Sequence, residues 1–167
     1  MVEKKEAVTK ELVIKRLNEG YYKFSSEKIN KEFRADLKTI DFNLQEADLQ
    51  EANLWKADLW KANLQEAKLW KANLQEANLQ EADLWKANLQ EAILREANLE
   101  EAILWKANLQ EAILWKANLQ KANLRKANLE EADLQEANLN AIFWKTKITK
   151  KQLKYITEKT DLFEVKE

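Results

Sequence analysis

Ala47-Asp48-Leu49-Gln50-Glu51 runs directly into Ala52-Asn53-Leu54-Trp55-Lys56, and the same five-residue grammar continues without a gap to Ala141. From Phe42 to Ala141 the chain is twenty such units. With the central residue of each unit called i, position i is leucine in all twenty, from Leu44 to Leu139, and position i−2 is Phe42 once and alanine nineteen times, so both positions answer to one apolar environment. Position i−1 is Asn in twelve units, Asp in four, isoleucine in three (Ile93, Ile103 and Ile113) and Lys68 in one, which makes it a polar position with three exceptions. Positions i+1 and i+2 are mostly Gln-Glu or Trp-Lys pairs.

Ala, Leu, Glu, Lys and Gln are strong helix formers, but the period forbids a helix. At about 100° per residue, five residues advance a helix by roughly 500° and leave each leucine about 140° from the last, so no buried stripe forms. A straight strand fails as well, because side chains alternate with period two and an odd repeat sends successive leucines to opposite faces. Both conflicts vanish if the chain turns once per unit. Then i−2 and i point inward, i−1, i+1 and i+2 point outward, and the chain closes into small coils whose backbones pair at about 4.8 Å, as neighbouring strands do. A single unit buries almost nothing, so stability has to come from stacking.

The A-(N/D)-L-x-x pattern resembles the pentapeptide-repeat family over about a hundred residues. The resemblance implies an all-β solenoid, a right-handed quadrilateral β-helix with four units per coil and about five coils here, with short α-helical caps at both ends. The family includes DNA-mimicking topoisomerase inhibitors that confer quinolone resistance, along with many members without an assigned biochemical role. It supplies no catalytic residues to carry over.

Composition narrows the chemistry. The chain has no cysteine, histidine or proline and one glycine, Gly20. Disulfides, thiolate nucleophiles, Cys/His zinc sites, His-dependent triads and Gly-rich phosphate loops are thereby excluded. The 28 basic and 29 acidic residues give a net charge of −1, which does not suit a polybasic nucleic-acid binder or a polyacidic tail. No apolar run is long enough to span a membrane, and Met1-Val2-Glu3-Lys4-Lys5-Glu6 is unlike a secretory leader. A cytoplasmic location, no enzymatic activity, no cofactor and no metal are expected.

The chain divides into residues 1–41, an N-terminal helical cap with degenerate first units; 42–141, the repeats; and 142–167, degenerate units with a capping helix. At the N-terminal end, a helix is expected over 5–18, stopped at Gly20, with a second after Ser26. Degenerate units at Ala35–Thr39 and Ile40–Phe42 precede a two-residue phase slip before Leu44. At the other end, Ala141-Ile142-Phe143-Trp144-Lys145 and Thr146-Lys147-Ile148-Thr149-Lys150 follow a one-residue slip. Thr149 and Gln152 match a capping box opening a helix with Leu153 and Ile156 inward. These ends read as caps, with an end-to-end dimer as the other reading beside a monomer.

Under four units per coil, residues twenty apart stack. Trp85, Trp105 and Arg125 then form a ladder flanked by Lys86, Lys106 and Lys126, with the spacing for aromatic stacking and an Arg-on-Trp contact. This face is the first candidate interaction surface; its plainer reading is packing between coils. Ile93, Ile113 and Trp115 stack on the opposite face with Arg95, either as an apolar binding patch or as an inter-coil ladder. Glu51, Glu91, Glu111 and Glu131 align on a third face, interrupted by Lys71. The repeats hold 17 acids and 11 bases, a net of −6, and the mixed signs read as a solvated surface rather than a DNA mimic. The Asn column at i−1 reads as local backbone hydrogen bonding near turns. The expectation is a scaffold that binds another protein through an outer face. A gyrase-directed DNA mimic is the alternative, and nucleic-acid binding through the Trp/Lys/Arg face comes third.

Overall fold

The computed structural model describes residues 43–160. The N-terminal helices, the Gly20 stop and the degenerate units before Leu44 expected from the sequence lie outside the described residues, as does the stretch 161–167.

The chain turns a corner after every leucine of the repeats up to Leu134. The carbonyl of Leu84 accepts the amide of Ala87 at 3.0 Å, and the same i to i+3 closure recurs from unit to unit. Residue i+2 sits in the left-handed region throughout, at φ between 54° and 61°. A positive φ at only the second central residue is the mark of a type II turn. Glycine or asparagine usually takes that position, whereas here it is always Glu or Lys, as at Glu91 and Lys106. Each such residue costs about 1–2 kcal/mol, so its surroundings must over-determine it.

Hydrogen bonding shows how. In the unit centred on Leu89, the amide of Ala87 closes the turn, and that of Asn88 donates to Ala67 of the preceding coil at 2.9 Å. The amides of Leu89 and Glu91 donate to Asn108 and Gln110 of the next coil at 2.7 and 2.9 Å. The fifth amide, Gln90, has no neighbouring carbonyl and donates instead to the side-chain oxygen of Asn88, at 3.2 Å. All five donors are satisfied, three of them between coils. Parallel pairs such as Asn88–Asn108 and Asn98–Asn118 lie twenty residues apart, so four units close one coil and the twenty units make five. Leucine and alanine of every coil fill the axis; Leu64 to Leu129 are fully buried.

The Asn or Asp at i−1 is therefore the acceptor for the one amide that stacking leaves over. Every Asn or Asp unit uses it, from Asn43 with Gln45 to Asn138 with Asn140. Several amides also donate to the residue one coil below, as Asn118 Nδ2 does to Asn98 Oδ1 at 3.2 Å. Where i−1 is Lys68, Ile93, Ile103, Ile113 or Ile142, the amides of Trp70, Arg95, Trp105, Trp115 and Trp144 have no hydrogen-bond partner among the described residues.

Near the C-terminal end the spacing shortens: Ile142 pairs with Asn123 and Lys147 with Asn128, 19 residues apart in each case. One turn residue is missing after Leu139, and the amide of Ala141 bonds the Leu139 carbonyl at 2.7 Å. The pattern then resumes, with Lys145 at φ 54°. Helix α1, Lys150–Lys159, closes the end. Thr149 and Gln152 form a reciprocal capping box, and the buried Gln152 does more. Its Nε2 donates to the carbonyls of Leu129 and Ala132, at 2.6 and 2.8 Å. Ala132 is the carbonyl that a further coil would have bonded, as Asp133 bonds Ala112. The Tyr155 hydroxyl accepts the amide of Glu136 at 2.8 Å, so two side chains of the cap stand in for a missing coil. Ile156 packs on the end of the leucine core, but Leu153 is exposed, contrary to the inward position expected for it. The inner stripe of α1 runs through Gln152, Tyr155 and Ile156, and Leu153 lies about 100° further round from Gln152.

Three substitutions rank these contributions in chemical denaturation. Leu94→Ala in the central coil is expected to cost about 2–5 kcal/mol. Gln152→Ala, which strips the Ala132 carbonyl of its donor, should cost about 2 kcal/mol, and Asn98→Ala about 1 kcal/mol. An Asn98→Ala loss equal to that of Leu94→Ala would contradict this order.

Candidate interaction surface

Turns bring i+1 and i+2 to the same corner, and this decides what the Trp-Lys pairs do. In all seven, the lysine ammonium lies over the preceding indole, from 4.1 Å at Trp85 to 4.7 Å at Trp105 and Trp144. Each contact stabilises the corner by about 0.5–1 kcal/mol when exposed. The pair is thus a local clip, and the number of tryptophans is not by itself evidence of binding.

On three faces the lysines at i+2 pair with glutamates of a neighbouring coil. Lys56 pairs with Glu76 at 3.1 Å, Lys61 with Glu81 at 3.2 Å, Lys71 with Glu91 at 3.4 Å, Lys116 with Glu136 at 3.6 Å and Lys121 with Glu101 at 2.8 Å. The Lys56 ammonium, with the indole N–H of Trp55, holds the Glu76 carboxyl below the usual carboxylate range. Glu101 correspondingly raises Lys121. The acid column does align, but Lys71 stands in it and bonds Glu91.

The face carrying Trp85 and Trp105 behaves differently. Lys86 reaches Glu66 at 3.1 Å. Above it, Lys106, Arg125, Lys126 and Lys145 have no carboxylate partner among the described residues. Trp85 and Trp105 stack with centroids 6.1 Å apart and planes inclined by 28°. The indole nitrogen of Trp85 is buried without a partner. One coil above the equivalent Trp70 stands Glu91, which accepts its N–H at 3.2 Å, whereas above Trp85 stands Lys106, which cannot accept. The Arg-on-Trp contact expected at Arg125 and Trp105 is not formed; Arg95 makes one, 5.1 Å from the centroid of Trp115. Arg125 instead lies in an open groove of about 610 Å³ with Trp105, Asn123, Lys126 and Trp144.

Trp144 and Lys145 belong to this face although the sequence reading did not extend the ladder to them. The 19-residue register places them one coil above Arg125 and Lys126, and Lys126 lies 5.3 Å from the Trp144 ring. Their own Ala-Ile-Phe-Trp-Lys unit was the available signal, hidden by the slip. On the opposite face Ile93 and Ile113 pair directly and are half-buried, and Arg95 covers Trp115. These contacts join neighbouring coils. Among the described residues no cluster is placed to hold a metal ion, and no helix is long and apolar enough to cross a membrane.

The model of the pentapeptide repeats matches in eight copies over 43–80, 77–115 and 102–140, and the chain belongs to this family. It is a right-handed quadrilateral β-helix, as its structural neighbours are. A pentapeptide repeat protein, Rfr23, from the cyanobacterium Cyanothece 51142 is 30% identical, with 74% of this chain and 96% of that one covered and a TM-score of 0.60. Another, alr5209 from Nostoc PCC 7120, is 28% identical over 74% and 95% of the two chains, with a TM-score of 0.52. QnrB1, a plasmid-mediated fluoroquinolone resistance protein, aligns at 15% identity over 70% of this chain and 71% of that one, with a TM-score of 0.29, too distant to bear on function. No curated protein matches.

The inter-coil pairs make one titration prediction. A carboxyl held below its ordinary value contributes stability above that value and loses it as the pH falls through the lowered one. Replacing Lys56 by Gln should therefore return the Glu76 midpoint upward toward an ordinary glutamate in a side-chain carboxyl NMR titration. An unmoved midpoint would show that Lys56 is not the cause.

Proposed function

We propose that the protein is a non-enzymatic scaffold that binds an acidic region of another protein through the face running from Trp85 to Lys145. The observation that carries this is the charge imbalance. Lys56, Lys61, Lys71, Lys116 and Lys121 on the other faces meet glutamates one coil away, whereas among the described residues Lys106, Arg125, Lys126 and Lys145 stack with no carboxylate. Like charges about 4.8 Å apart in the ladder repel one another, and a partner's carboxylates relieve that repulsion on binding. Tryptophan and arginine are the residues that most often anchor protein interfaces.

Single-stranded nucleic acid fits this face less well. Bases bind such surfaces by stacking on open aromatic rings, and here each indole is covered by its own lysine. A DNA-mimic role draws no support from the acid column, where Lys71 interrupts the run and neutralises Glu91.

Affinity purification from the source cells tests the assignment, with the wild-type protein, the double variant Lys106→Gln/Lys126→Gln and a control, Lys61→Gln, as baits. A partner retained by the wild type and the control should fall by roughly tenfold with the double variant. An unchanged set of retained proteins would remove this face from consideration.

A further inference from the structure

We infer that the groove between Trp105 and Trp144 receives an acidic segment of extended polypeptide, its carboxylates held by the Arg125 guanidinium and by two main-chain amides that this sequence leaves without acceptors. The inference rests on the scaffold reading above and specifies the ligand and the contact. Its starting point is the fifth amide of each unit. In every Asn or Asp unit that amide finds a side-chain oxygen, as the amide of Arg125 finds Asn123 Oδ1 at 3.2 Å. On this face the units below and above Asn123 carry Ile103 and Ile142 instead, and both isoleucines are exposed. The amides of Trp105 and Trp144, the two tryptophans that line the groove, therefore have no partner among the described residues. The same substitution affects Asn123. Elsewhere in the column an asparagine amide donates to the residue below, as Asn63 does to Asn43, but beneath Asn123 stands Ile103, and its Nδ2 donates to nothing among the described residues.

The groove thus presents donors without matching acceptors: two backbone amides, the Asn123 side-chain amide, the Arg125 guanidinium and the Lys126 ammonium. Such a set selects an acceptor-rich anion. The planar fork of Arg125 fits a carboxylate with two parallel hydrogen bonds, and the exposed isoleucines give aliphatic shoulders for an adjoining side chain. The Trp105 and Trp144 units are two coils apart, roughly 10 Å, which about three residues of extended chain span at ~3.3 Å each. The lysines over both indoles oppose base stacking and leave carboxylates the better match.

Fluorescence anisotropy at low salt with a labelled octaglutamate peptide tests this, with labelled octathymidylate as the comparison. The peptide should bind and the oligonucleotide bind more weakly. Arg125→Gln should weaken the peptide by about tenfold, the scale of a lost charged contact. Ile103→Asn/Ile142→Asn gives each amide an internal oxygen. It should weaken the peptide by about threefold or more while leaving the thermal midpoint unchanged or raised, a combination that simple damage to the fold would not produce. If both variants bind as the wild type does while Lys86→Gln weakens the peptide, the groove assignment is overturned and the wider cationic face stands. If octaglutamate does not bind, or octathymidylate binds as tightly, the acidic-peptide ligand is overturned. Partner retention by the Lys106 and Lys126 baits then decides the scaffold reading separately.

Discussion

Each five-residue unit has five main-chain amides, and the geometry of a stacked coil can satisfy only four of them with main-chain carbonyls. One closes the turn and three reach adjacent coils, as Ala87, Asn88, Leu89 and Glu91 show. The remaining amide, at i+1, lies at a corner and faces outward. An unsatisfied amide that cannot reach water is expensive, on the order of 1–3 kcal/mol. Repeated at every corner, it would weigh heavily against stacking. The short polar side chain at i−1 removes that penalty from within the same unit. Asn and Asp have the reach for it; serine and threonine make the same turn more weakly.

Much of the rest follows from closing the coil this tightly. The corner needs a positive φ at i+2, and the hydrogen bond from that residue to the next coil holds it there. Once the backbone is fixed, a long side chain at i+2 is useful rather than merely tolerated. Its lysine can lie over the indole beside it, and its charge stands above or below another i+2 residue. Both effects are individually small, but the repeat applies them along every edge. The end of the solenoid obeys the same constraint. Gln152 supplies a donor to Ala132 and Tyr155 an acceptor to Glu136, so the cap completes hydrogen bonds as well as covering leucines.

Much of this was legible in the sequence. An odd period with leucine at every centre excludes both straight secondary structures, and alternation then fixes which residues go inside. The outward column of Asn and Asp could be assigned to the turns because those residues serve local amides elsewhere. The left-handed corners were not legible, since Glu and Lys carry none of the usual signal for positive φ. Nor was the inner face of α1: Gln152 looked like half of a capping box, and its second task depends on where the Ala132 carbonyl lies. Trp144 was hidden for a different reason. A twenty-residue step from Arg125 lands on Lys145, whereas the one-residue slip in the sequence makes the step there 19, as the pairing of Asn123 with Ile142 shows.

A structure this regular makes its departures informative. Isoleucine at i−1 gives up a hydrogen bond that sixteen Asn or Asp units keep. Where Ile93 pairs with Ile113, the lost bond is offset by contact between two half-buried aliphatic side chains. Ile103 and Ile142 have no such compensation, because Asn123 stands between them and both are exposed. These two exceptions flank Asn123 on the face where, among the described residues, Lys106, Lys126 and Lys145 lack acidic partners, and Asn123 lines the groove there. Amides without acceptors and cations without counter-charges are separate failures of the repeat's own rules. Both call for oxygen atoms that the described residues do not supply, and they occur at the same place.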